Sequence, residues 1–219
     1  KSFQTLEELG TINKVLKQFK GKVIGTPSKG SIHDVIIRWL IDKAELQEDI
    51  VVKNFEWADL ILEDMEDNVV DCSCGTPSLA VLASRFLNAK IVLPPSVMWP
   101  QNPSYGIVAT VEMIKNYPKM LEGVLRLHEE ACNLIRRKPQ EAAEIAAKAI
   151  GIVDKNFILE VFKVSPKYCA SLSSKYVEST LAFVPVLRKM GYISKYLGRF
   201  DVFQTDIIER IHREKPHYN

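Results

Sequence analysis

The sequence predicts an α/β protein, with one small parallel-sheet lobe followed by a mainly helical C-terminal part. Three observations predict it. Short β-branched runs alternate with amphipathic helical stretches through residues 20–98, the pattern of strands joined by crossover helices and therefore paired in parallel. A stretch from Pro94 to Gly106 then breaks that alternation with four prolines in thirteen residues, too many for a helix or an ordinary strand. Beyond it the apolar residues recur almost entirely at helical spacing.

Each element follows from its residues. In the N-terminal helical segment, residues 1–19, Phe3, Leu6, Leu9, Ile12, Val15, Leu16 and Phe19 repeat at intervals of three and four, and Gly10 marks a break. Val23 and Ile24 make a first strand. Pro27 and Gly30 turn the chain, and Ser31, with Asp34 three residues on, caps a helix reaching Lys43. Ile50–Val52 is a second strand and Trp57–Glu66 a short helix. Val69–Cys74 is a third strand, its near-continuous apolar character suiting a covered parallel position. Gly75–Ser78 turns into a helix over Leu79–Phe86, and Lys90–Leu93 is a fourth strand closing the α/β lobe of residues 20–98.

Residues 99–219 read as a crossover connector and a helical C-terminal lobe. The connector is stiff and extended, and one further strand is expected at Tyr105–Ala109. Pro118, with Asn116 as its cap, opens a long helix, and Pro139 opens the next. Asn156–Phe162, Ser173–Met190 and Asp206–Arg213 are further helices, the second of them kinked at Pro185. Arg136, Arg137 and Lys138 are expected to serve the carbonyls at a helix end.

Composition narrows the function classes. A chain of 219 residues with 47% hydrophobic and 26% charged residues is long enough for one large domain or two lobes with real cores. The 29 basic residues are interspersed with 27 acidic ones for a net charge of +2, which excludes an electrostatic nucleic-acid binder. No apolar run reaches the length of a membrane span, and no secretion signal is visible. Cys72, Cys74, Cys132 and Cys169 lack zinc-site spacing, and no histidine pair stands near them in sequence. They read as small core residues, a disulfide between distant pairs staying open. No metal and no cofactor is expected.

The candidate site is the joint Gly21-Lys22-Val23-Ile24-Gly25-Thr26-Pro27-Ser28-Lys29-Gly30-Ser31-Ile32-His33-Asp34. A strand that feeds a helix through a Gly/Ser loop leaves backbone N–H groups pointing outward, with the positive end of the helix dipole behind them. Such a corner holds an anion or a polar ligand end. The same glycines and serines also serve simply to turn and cap. The order of residues matches neither a P-loop nor a Gly-x-Gly-x-x-Gly loop.

The order of parts from Gly21 to Ile193 resembles the solute-binding proteins of nitrate/sulfonate/taurine-type ABC transporters, which have the type II periplasmic binding protein fold. The joint at Gly21, Asn68-Val69-Val70-Asp71, the Trp99-Pro100-Gln101-Asn102-Pro103-Ser104-Tyr105 stretch, the helical pair beginning at Tyr117 and Lys138, and Lys189-Met190-Gly191-Tyr192-Ile193 carry the resemblance. It implies two lobes closing on a small, anionic or polar organic molecule in an interlobe cleft, and delivery to an ABC permease. The matching ligand positions are Lys29, Gly30, Ser31 and His33, then Thr76 and Ser78, then Trp99 and Asn102. Ser31 and the amides after Gly30 would take an anionic oxygen, and Trp99 would stack on a flat ligand or anchor one lobe on the other. Asn102, before Pro103, also suits a turn-capping role.

Two departures stand out. Relatives carry an N-terminal half-lobe ahead of the counterpart of Gly21, so a fragment or a shortened member completed by a partner or a homodimer is expected. An acidic Glu-Pro common after the third strand is here Gly75-Thr76-Pro77. The resemblance places the protein outside the cytoplasm, periplasmic or membrane-anchored, if its parent chain is exported, and in the cytoplasm otherwise. It favours a binding protein over an enzyme. The alternatives are an enzyme of the pyrimidine-synthase or menaquinone-pathway type on the same fold, of which Cys72-Ser73-Cys74 is a faint echo, and a repurposed interaction domain.

Overall fold

Three parallel strands, β1 (Lys22–Thr26), β2 (Ile50–Asn54) and β3 (Cys72–Ser73), form a sheet in the order β2-β1-β3. All five residues of β1 pair with β2, from Lys22 opposite Ile50 to Thr26 opposite Asn54. Ile24 and Gly25 pair with Cys72 and Ser73 on the other side. The structure, a computed structural model, describes residues 3–101 and 105–217. It divides into two units, one of residues 1–100 and 186–194, the other of residues 101–185 and 195–219.

In the first unit, helices α1 (Leu6–Leu9) and α2 (Ile12–Lys17) are separated at Gly10, which takes the left-handed conformation. Helix α3 (Ile32–Lys43) follows β1, α4 (Leu60–Glu66) follows β2, and α5 (Pro77–Leu87) follows β3. Ser31 caps α3 by accepting the Asp34 N–H, so α3 begins where the sequence places it. Thr76 caps α5 by accepting the Leu79 N–H, which starts that helix at Pro77, two residues before the expected Leu79.

Adjacent strand residues point to opposite faces. Val23 joins a cluster of Ile61, Val70 and Leu79. Gly25 faces the same group so closely that a Cβ there would sit 2.7 Å from Ile61 Cγ2. Ile24 belongs to the opposite set, and buried Val15, Leu16, Phe19, Val35, Ile36 and Leu40 give α2, its C-terminal flank and α3 their apolar faces. Below the sheet's paired segment, Asp71 is stapled to β1. Its carboxylate accepts the Val23 N–H at 3.0 Å and the Lys22 ammonium at 2.7 Å.

Several expected elements differ. The third strand shortens to Cys72–Ser73 because the Val69 and Val70 amides still donate to the Asp64 carbonyl at the end of α4. Lys90–Leu93 forms no strand, since the Val92 carbonyl accepts from Leu6 in the N-terminal segment. Helix α4 starts three residues after Trp57. The proline stretch contains one helical turn, α6 (Pro95–Met98), with Pro95 at the first helical position where its missing N–H costs nothing.

In the second unit, Tyr105–Ala109 is irregular, with Val108 almost fully exposed. No strand flanks it among the described residues, and a ladder needs a partner. Helix α7 (Val111–Asn116) absorbs Asn116, so α8 (Pro118–Arg137) is preceded by Tyr117 with no side-chain cap. Helices α9 (Pro139–Ile150) and α10 (Lys155–Val164) follow as expected. The long helix expected at Ser173–Met190 divides at Ala182 into α11 (Ser174–Leu181) and α12 (Phe183–Lys189), because Pro185 cannot donate to residue 181. Helices α13 (Arg199–Val202) and α14 (Asp206–Ile211) complete the unit. The basic residues at the end of α8 turn elsewhere: Arg136 donates to the Tyr168 carbonyl at 2.8 Å, while Arg137 and Lys138 pair with Glu214 and Glu141.

Candidate functional site

The strand order makes β1 the point from which the chain departs in two directions. The first crossover carries it through α3 to β2 on one side, and the second returns it through α4 to β3 on the other. In an open parallel sheet, ligands bind at the carboxyl ends of the strands where the order reverses. Here that place lies between the loop after β1, residues 27–31, and the loop after β3, residues 74–76. The two helices that start there each offer the N–H groups of a first turn. The Cys74 thiol donates to the His33 carbonyl at 3.6 Å and ties the loop after β3 to the first turn of α3.

The hub of this corner is Asp34, fully buried in the first turn of α3. Its Oδ2 accepts the Gly30 N–H at 2.9 Å and the Tyr192 hydroxyl at 2.8 Å. Its Oδ1 accepts Arg38 Nε at 2.6 Å and Asn54 Nδ2 at 2.8 Å. Arg38 also donates to Asn54 Oδ1 at 3.0 Å, and Asn54 to the Pro27 carbonyl at 3.2 Å. Burial raises the carboxyl's pKa, but the hydrogen bonds from Asn54, Gly30, Tyr192 and Arg38 outweigh it and hold the group below the ordinary carboxylate range. Tyr192 moves the other way: burial and its bond to Asp34 raise its pKa, keeping the phenol protonated as a donor.

This network redraws the expected anion corner. The Gly30 N–H is committed to Asp34, and the Tyr192 ring lies over Gly30, within 3.2 Å of where a Cβ would stand. Gly30 has φ +81°, so both space and backbone call for glycine. Ser31 Oγ accepts the Asp34 N–H at 3.3 Å and donates to the Pro27 carbonyl at 3.4 Å. The Ile32 and His33 amides, the first two of α3, have no acceptor among the described residues. His33 is half-buried, and burial lowers its pKa, favouring the neutral ring. Lys29 is exposed on the loop.

Across the reversal point, Thr76 Oγ1 and Ser78 Oγ share a hydrogen bond at 2.9 Å at the start of α5. Thr26 ends β1 fully buried, and its hydroxyl has no partner in the structure. Trp99 is buried and packs on Trp39 with ring centroids 4.6 Å apart, so its ring is used as an anchor on α3 rather than as an open stacking platform. Asn102 lies outside the described residues.

Asp34 appears in the sequence only as a capping residue. The Asp34–Arg38 spacing of four on one helix was a usable signal for their pairing. Nothing local announces Asn54 or Tyr192 as their partners. The thiols of Cys72 and Cys74, pushed up to about 12 by burial, are protonated at neutral pH and poor nucleophiles. In the second unit, Cys169, His212 and His217 bring three possible metal-ligand atoms within 4.8 Å of one another. Their separation in sequence, 43 and 48 residues from Cys169, hides this from spacing rules.

The fold is an open α/β architecture, and comparison with known proteins identifies the family. The NMT1-like family profile matches residues 4–151, and the chain belongs to that family. Among solved structures, it is similar to the alkanesulfonate-binding protein SsuA from Xanthomonas axonopodis pv. citri bound to MOPS, with a TM-score of 0.64 and 13% sequence identity. That similarity covers 90% of this chain but spans only 64% of the length of SsuA, and it establishes a periplasmic-binding-protein fold. No curated protein sequence matches this chain. No helix among the described residues is long and apolar enough to cross a membrane.

Proposed function

We propose that this protein is a solute-binding module, which holds a small polar or anionic organic molecule at the carboxyl edge of its sheet on behalf of an ABC importer. The observation that carries this reading is the pair of helix N-termini at the ends of neighbouring parallel strands. There the Ile32 and His33 amides and the Thr76–Ser78 hydroxyl pair stand on either side of the reversal point. Both first turns favour negative charge through the helix dipole. Lys29 adds an exposed cation on the loop, and Ser31 sets the position of the α3 amides through its cap. The neutral His33 ring contributes hydrogen bonding rather than charge. The likeness to an alkanesulfonate-binding protein supports the same class of ligand.

The protonated Cys72 and Cys74 thiols support binding over catalysis. An importer's permease is the partner in this reading, and the working location is outside the cytoplasm. Self-association is part of the same reading, since apolar residues such as Leu127, Ile152 and Phe200 stand exposed in the second unit; light scattering that finds only monomer removes that part.

The test is a thermal-shift screen followed by calorimetry with small alkanesulfonates, nitrate, pyrimidines and small carboxylates. One class raises the melting temperature in proportion to its concentration. Thr76→Ala weakens that ligand about tenfold, the loss expected for a hydrogen bond to a charged group. If no class stabilises the folded protein, the reading fails.

A further inference from the structure

We propose that Cys169, His212 and His217 form a binding site for one divalent transition-metal ion of the zinc class, built in the second unit and separate from the solute corner. The three inner atoms are Cys169 Sγ, His212 Nε2 and His217 Nδ1. The sulfur lies 3.8 Å from the first nitrogen and 3.4 Å from the second. At ordinary zinc bond lengths, a tetrahedral thiolate–imidazole pair is separated by about 3.6 Å, so both sulfur–nitrogen pairs are near ligand spacing, and all three atoms lie within 4.8 Å of one another.

The outer atoms of both rings are committed to carboxylates. His212 Nδ1 lies 3.0 Å from Glu129 Oε1, and His217 Nε2 lies 3.2 Å from Glu214 Oε2. Each carboxylate draws the ring proton to the outer nitrogen and leaves the inner lone pair directed at the sulfur. The two inner ring nitrogens and the sulfur then face one another, with one thiol proton between two imidazole acceptors. That proton can satisfy one imidazole and leaves the other facing sulfur. A cation satisfies all three at once, with the thiol proton released to solvent on binding. The carboxylate–histidine arrangement, repeated at both rings, is how ligand histidines are oriented.

The surroundings are prepared for positive charge. Glu129 Oε2 is buried with no hydrogen-bond partner, while Oε1 accepts from Asn133 at 3.1 Å as well as facing His212. Arg136 stands 3.9 Å from that carboxylate and directs its other nitrogen to the Tyr168 carbonyl, which fixes the chain next to Cys169, and Arg137 pairs with the outer Glu214 at 3.6 Å. The backbone N–H of His217 donates to Cys169 Sγ at 3.4 Å and holds the sulfur beside that ring. His212 is buried, whereas the His217 side chain is 28% exposed. The metal is therefore approached from the His217 side, where water or another small donor completes the tetrahedron. A donor set of two imidazoles and one thiolate suits zinc and cobalt over magnesium or calcium.

The experiment titrates the chelator-treated full chain with cobalt(II), followed by zinc(II). One equivalent of cobalt produces visible tetrahedral d–d bands with a near-ultraviolet thiolate-to-cobalt band, and zinc abolishes both. Cys169→Ser removes the charge-transfer band, and His217→Gln weakens cobalt at least about tenfold, each with an unchanged far-ultraviolet dichroism spectrum. Glu129→Gln lowers affinity by about 10–100-fold but keeps the spectrum at saturation, the signature of an orienting residue. In the unmodified chain, one equivalent of zinc also protects Cys169 from alkylation, as mapped by peptide mass spectrometry, so the proposal does not depend on any variant folding. Absence of the charge-transfer band in the folded wild-type chain, its survival in Cys169→Ser, or unprotected Cys169 under stoichiometric zinc overturns the site.

Discussion

The Tyr192 hydroxyl donates to the buried Asp34 carboxylate at 2.8 Å, joining positions 158 residues apart in the chain. The bond locks the segment of residues 186–194 onto the N-terminal turn of α3 within the first unit. Replacing Tyr192 with Phe removes one donor from an ionised acceptor and keeps the ring over Gly30. The expected loss is about 1–3 kcal/mol of unfolding free energy in urea melts, with the fold intact.

Asp34 makes the first unit acid-sensitive in a defined window. Its carboxyl is held below the ordinary carboxylate range in the folded state, so the unfolded chain binds the proton more readily. The stabilisation it provides is complete above the unfolded value, about pH 4, and is lost as pH falls through the folded value. Asp34→Asn is therefore less stable than wild type by about 3 kcal/mol at pH 7. The gap between the two proteins narrows below about pH 4; equilibrium denaturation across pH 3–7 measures it, and a constant gap refutes the assignment.

Gly25 is required by space rather than by its backbone angle. A methyl group there meets Ile61 Cγ2 at 2.7 Å and Val70 Cγ1 at 3.1 Å. Gly25→Ala costs about 1–3 kcal/mol through overpacking. Ile61→Ala, which removes the opposing Cγ2, relieves that contact, and the double-mutant cycle in urea reports a favourable coupling.

Cys72 and Cys74 resist modification while the protein is folded. Burial pushes both thiols up to about 12, so iodoacetamide at pH 8 leaves them unlabelled in native protein and labels them fully in denaturant. Rapid labelling of either in the native state would revive the catalytic-cysteine alternative.

How much of this was legible in the sequence depends on whether the determining contacts are local. Helix α3 begins at Ile32 and ends at Lys43 as expected, because Ser31, Asp34 and the apolar stripe all lie within its own length. The same holds for the start of α9 at Pro139, while α5 begins at Pro77, two residues ahead of the expected Leu79, because Thr76 is its cap. Strands were harder. Val69–Cys74 and Lys90–Leu93 have strand composition, yet the first spends its leading amides on Asp64 and the second meets Leu6. A strand is a relation between two segments, and composition describes one of them. The site divides in the same way. Ser31 reads as a cap, and Gly75–Ser78 as a turn, from their own neighbours, while a ligand role for Thr76 and Ser78 rests on the resemblance. The commitment of the Gly30 amide to Asp34 was not, because the donors around that carboxylate come from Arg38, Asn54 and distant Tyr192. Cys169, His212 and His217 escaped for the same reason: only tertiary packing brings them together.

Because residues 186–194 return to the first unit, that unit is discontinuous in the gene. A polypeptide stopped at Pro100 keeps Asp34, Arg38 and Asn54 but loses the phenol that closes over them. A synthetic nonapeptide of residues 186–194, supplied in trans, is then the natural complement, and its capture by the truncated unit would turn an internal strap into a measurable bimolecular affinity.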